Sequence, residues 1–150
     1  MAEAFGIFTG VASLADIAVR VGTDLSQMSR DMKNAPEDIQ ALSNEVNDIR
    51  AVLKVLEELR LDNAADSRIL STEGILKQLE RELAQAKTVL DDLDMLVKGC
   101  QSRKTFETRF KWWRKNKNQA DCLRRQLREV RNRILELLSA FNGCSVQELL

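Results

Sequence analysis

The 150-residue chain has no histidine and no tyrosine, a single proline and three cysteines, and its aromatics are five phenylalanines and two tryptophans. Without histidine, the usual serine and cysteine triads and most zinc and haem sites are excluded. Glycine-rich phosphate loops are missing, and the carboxylates of Asp91, Asp92 and Asp94 lack a metal-site spacing. No enzyme, cofactor or metal is therefore expected. No stretch alternates as a strand would. Neither charge is in excess, with 23 basic and 23 acidic residues, so nothing global draws the chain to nucleic acid. Low proline, 44% hydrophobic and 31% charged residues exclude collagen, low-complexity sequence and disorder. A chain this long buries about 68–70% of its unfolded surface and needs no covalent staples.

No hydrophobic run is long enough for an ordinary transmembrane helix. Residues 4–15 carry no charge, but Asp16 follows, and a span needs about 18 or more apolar residues. Asp16 at the bilayer centre would cost about 2.5–3.5 kcal/mol. Glu3 stands where a secretory signal would place a basic region. Cys100, Cys122 and Cys144 are odd in number and widely spaced, so they read as reduced, mostly buried thiols of a cytoplasmic protein.

What is present is helical period. Apolar residues step by three and four through Ile7, Val11, Leu14, Ala18, Val21, Leu25, Met28 and Met32. They do so again through Ile39, Leu42, Val46, Ile49, Leu53 and Leu56, and through Leu76, Leu79, Leu83, Ala86, Leu90, Leu93 and Val97. A fourth series is Leu123, Leu127, Val130, Ile134, Leu137 and Phe141. Each series lies on one stripe of a helix and must be buried against the others. Asn34, Pro36 and Glu37 can open the second helix, and Ser71 or Thr72 the third. Gly99 is expected to end the third, Asn118 with Asp121 to cap the fourth, and Asn142-Gly143 to stop it. The fold class expected is all-α, an antiparallel four-helix bundle with an apolar first helix and a short extra helix over residues 105–115 before the last long one. Ser145 with Glu148 reads as one more capping box at the chain's end, which suggests an amino-terminal domain of a longer protein.

Two features could carry function. Gly6 and Gly10 form a G-x-x-x-G step among Phe5, Ile7, Phe8 and Val11. Such a step lets helices approach closely in a membrane, or it packs the first helix on the bundle. The second is a charge asymmetry. Residues 1–98 hold 18 acids and 11 bases, whereas residues 99–134 hold 3 acids and 12 bases. In the basic part, Arg103, Lys104, Arg109, Lys111, Arg114, Lys115 and Lys117 interleave with Phe106, Phe110, Trp112 and Trp113. A solvated face with one tryptophan in the core ranks first. Anionic lipid headgroups come second, since each base near such a surface contributes about 1 kcal/mol. Nucleic acid is a distant third and is not adopted as a partner. Arg124, Arg125, Arg128 and Arg131 are expected to pair with acids such as Asp91, Asp92 and Asp94.

The opening MAEAFGIFTGVASLADIAVRVG, the N-A-P-E-D-I step at residues 34–39 and E-V-N-D-I-R-A-V-L at residues 45–53 resemble the HeLo-like domains that begin many fungal NLR-like (STAND) proteins. The resemblance spans the chain and is strongest over residues 1–60, with the later helices matching in pattern. It implies a four-helix bundle related to the necroptosis executioner and to plant resistance-protein coiled-coil domains. It further implies a cell-death effector that is clustered by a signalling NLR or amyloid motif, in cis or trans. The homo-oligomer then moves from cytoplasm to plasma membrane and permeabilises it through residues 5–14 (Phe5, Gly6, Ile7, Phe8, Gly10, Val11, Leu14). Asp16 and Arg20 set this chain against continuous insertion as a monomer. A soluble interaction or dimerisation module of an NLR-like receptor is the alternative.

Overall fold

The four apolar stripes become the inner faces of four long helices. In a computed structural model of the chain, the order is α1 (Ala2–Asp31), α2 (Glu37–Asn63), α3 (Glu73–Gln101), α4 (Phe106–Lys115) and α5 (Lys117–Leu149). Residues 2–32, 37–63 and 73–149 are described in backbone, and side chains over 10–32, 37–58, 74–75 and 77–140. The described residues contain no strand. Every described member of the four stripes is buried except Leu137, which is half-buried while its neighbour Leu138 is buried. The expected starts at Asn34 and Pro36, and at Ser71 or Thr72, lie outside the described residues, as do the side chains of Ile7, Leu76 and Phe141.

Polar contacts fix how the helices run. Ser29 Oγ donates to Gln40 Oε1 at 3.1 Å, and the Ser26 and Ser43 hydroxyls lie 3.2 Å apart, so α2 runs antiparallel to α1. Gly10 and Leu14 share a groove with Leu83 and Lys87, and Arg20 reaches Asp94 at 3.0 Å, so α3 runs parallel to α1. Lys117 meets Asp38 at 3.7 Å and Arg131 meets Asp48 at 3.0 Å, which sets α5 parallel to α2. It follows that α3 and α5 are antiparallel. Each long helix packs chiefly on two others, in the ring α1–α2–α5–α3. Neighbours are thus antiparallel on two sides of the ring. On the other two the neighbours are parallel, because consecutive α2 and α3 occupy opposite corners.

The predicted short helix is α4. Its cap is Thr105, whose hydroxyl accepts from the Thr108 amide at 3.2 Å, while Thr108 Oγ1 accepts from the Thr105 amide at 3.2 Å. Three expected helix ends, one start and two stops, differ. Gly99 lies inside α3, where a Cβ would meet Trp112 Cζ2 at 2.5 Å; it seats an indole rather than ending a helix. The break before α5 falls at Asn116, not Asn118. The Asn116 side chain and amide both donate to Trp112 O, at 2.8 and 3.1 Å, and its carbonyl accepts from Ala120 at 3.0 Å. α5 also runs through Asn142, Gly143 and Ser145 to Leu149. A helical glycine costs about 1 kcal/mol but keeps the hydrogen-bond ladder, so it stops a helix only where tertiary structure requires a stop.

Candidate functional site

The first candidate is the start of α1. The backbone is helical from Ala2, whereas the side chains of Phe5, Ile7 and Phe8, and the surroundings of Gly6, lie outside the described residues. From Gly10 on the geometry is clear. Gly10 is exposed, and a Cβ built on it meets nothing within 4 Å. Among the described residues, then, nothing packs against this position. Val11 and Leu14 are 0% and 3% exposed and belong to the core, as their place on the apolar stripe implies. Arg20 bonds Asp94, which also accepts from Lys98 at 2.9 Å, so two cations hold this nearly buried carboxylate at the α1–α3 seam.

The second candidate is the basic stretch around α4. Trp113 is 1% exposed and forms part of the core, which removes it from any surface role in this state. Trp112 is half-buried; its Nε1–H donates to Leu96 O at 3.3 Å, and the Arg103 guanidinium lies 4.6 Å above the ring. Arg109 donates from Nε to Arg103 O at 2.9 Å and so braces the α3–α4 turn. Lys111 lies 4.0 Å from Glu107, Lys117 is paired with Asp38, and Arg114 sits 5.8 Å from the Phe110 ring. Lys104 and Lys115 are exposed. Phe106 is half exposed and stacks on Phe110, ring centres 6.3 Å apart. The outcome is an exposed rim of cations and aromatics around one buried tryptophan. Burial pushes the Cys100 thiol above its usual range, although Arg109 and then Arg103 pull the other way. Cys122 is half-buried, and the side chain of Cys144 lies outside the described residues.

The arginines of α5 find partners other than those expected. Arg131 bonds Glu45 and Asp48 of α2, and Arg128 lies 3.6 Å from Glu45. Arg133 pairs with Glu82 of α3 at 2.8 Å. Asp91 pairs with Lys87 of its own helix, and Asp94 with Arg20 of α1. Sequence reasoning also missed Glu45, 6% exposed. The only hint was its place between Leu42 and Val46 at the flank of a stripe.

Among the described residues no helix is long and apolar enough to cross a membrane, and no group of three His, Cys, Asp or Glu could hold a metal ion. Residues 2–130 match the family described as the N-terminal domain of the pigment biosynthesis cluster protein PigL, and the chain belongs to that family. No curated protein and no solved structure matches it.

Proposed function

We propose that this chain is a HeLo-like cell-death effector domain: a four-helix bundle that clusters on a signal and permeabilises the plasma membrane through the opening turns of α1. The observation that carries this reading is the open surround of Gly10. Gly6, Gly10 and Gly22 all lie in α1, and each costs about 1 kcal/mol relative to alanine. Gly10 meets no described neighbour in its own domain, which supports an intermolecular use for it. In this reading an NLR-like or amyloid-signalling module, in cis or trans, supplies the signal.

Burial limits how α1 acts. Extracting residues 11–32 would expose Val11, Leu14, Val21, Leu25, Met28 and Met32, a cost on the order of 10 kcal/mol. Residues 11–32 therefore leave the bundle only if clustering and lipid return that energy. Meanwhile Arg103, Lys104, Lys111, Arg114 and Lys115 hold anionic headgroups, each contributing about 1 kcal/mol near the surface. Phe106, exposed at the rim, enters the interfacial layer.

Leakage of anionic vesicles tests the proposal. The wild-type chain is expected to release dye at least tenfold faster than a Phe5→Ala/Gly6→Ala/Phe8→Ala/Gly10→Leu variant; equal rates overturn it. A second reading, a soluble interaction module, is favoured by the complete burial of the α1 stripe from Val11 to Met32. It predicts a defined oligomer in solution and intact vesicles.

A further inference from the structure

The seam between α1 and α3 carries an exposed groove of about 210 Å³. Leu14 and Leu83, both buried, form its floor. Gly10 and Ala84 form its low, exposed walls, and Glu80 and Lys87 stand at its ends. The charged residues are ordered. Along the outer edge of α3 the steps of three and four read Lys77, Glu80, Ala84, Lys87 and Asp91, which is plus, minus, neutral, plus, minus.

Turned end for end about its centre, that pattern meets itself with opposite signs throughout. Glu80 faces Lys87 of a second copy, and Lys77 faces Asp91, each twice. The midpoint between Glu80 and Lys87 falls between Leu83 and Ala84, where the groove lies. A two-fold contact requires the same patch on both subunits to be self-complementary, and this one is. Gly10 and Ala84 permit close approach of the two backbones there, while steps of three and four are those of a helix seam.

We propose that the α1–α3 groove is a homotypic docking surface, occupied by the same groove of a second copy with the α3 helices antiparallel. This rests on the clustering assumed in the proposed function and names the face through which it begins. Heterologous contacts elsewhere would then extend the pair.

Charge swapping in the full chain tests it. Glu80→Lys and Lys87→Glu each place like charges opposite one another twice, so each variant alone is expected to lose self-association at least about tenfold in sedimentation equilibrium. An equimolar mixture of the two places opposite charges at every such position, and is expected to recover wild-type association as a heterodimer. The Glu80→Lys/Lys87→Glu double variant should recover it alone. A wild-type chain that stays monomeric up to its solubility limit, single variants that associate normally, or a mixture that fails to recover would each overturn the proposal. Vesicle leakage, read in parallel, separates the two ideas. Leakage at the wild-type rate by both single variants removes this surface and leaves the membrane reading intact; no leakage by the wild type, with the charge-swap pattern as expected, does the reverse.

Discussion

Gly10 and Gly99 occupy helices of similar length yet answer to different needs. The first meets no described neighbour, the second is pressed by the Trp112 indole. Alanine at Gly10 is expected to stabilise the isolated domain by up to about 1 kcal/mol, since it gains helix propensity and meets no neighbour. Alanine at Gly99 is expected to destabilise it by about 1–3 kcal/mol. The indole has little room to yield there, held by its bond to Leu96 O and covered by Arg103. Urea denaturation of both variants checks the pair, and opposite signs are the expected result. The sequence marked Gly10 as unusual but misplaced Gly99, because glycine after a run ending in Lys98 has the look of a helix terminus. The contact that explains it comes from α4, thirteen residues on, and no local pattern encodes it. Trp112 and Trp113 divide the same way. Adjacent in a basic stretch, they are indistinguishable by composition, and only the pose of α4 on α3 and α5 sends Trp113 inward.

At the level of elements, the steps of three and four told which face of each helix is buried, and the short helix before α5 was visible from its composition. Which helix faces which was not visible. Period gives an azimuth and no neighbour, so Arg128 and Arg131 were assigned to acids of α3, whereas the ring order brings α2 beside α5. That order follows from α2 and α3 standing at opposite corners, a choice no stripe records. The Arg131–Glu45 pair consequently joins two parallel helices, with Glu45 side-chain exposure of only 8% and Arg131 at 19%. Arg131→Met leaves that carboxylate with the more exposed Arg128 as its remaining partner and is expected to cost up to about 3 kcal/mol. Glu45→Met/Arg131→Met, which removes both charges, is expected to cost less than Arg131→Met alone. Thermal unfolding of the two variants measures the difference, and a double variant less stable than the single would show that the pair is worth more than its desolvation.

Taken whole, the molecule is divided by charge: an acidic body over residues 1–98 and a basic region over residues 99–134 that includes α4 and the first part of α5. The account needs both parts, the basic rim to hold anionic lipid and α1 to enter it. Its central claim is that the turns ahead of Val11 change environment at a membrane while the buried stripe behind them holds the domain together. Hydrogen exchange along α1, read in the free protein and on anionic vesicles, is the most direct measurement. The account predicts that amides of residues 11–32 exchange as slowly as those of the α2 core in the free protein, and that residues 2–10 slow by at least about tenfold on anionic but not neutral vesicles. An α1 exchange profile identical in solution and on anionic vesicles to which the protein is bound would contradict it.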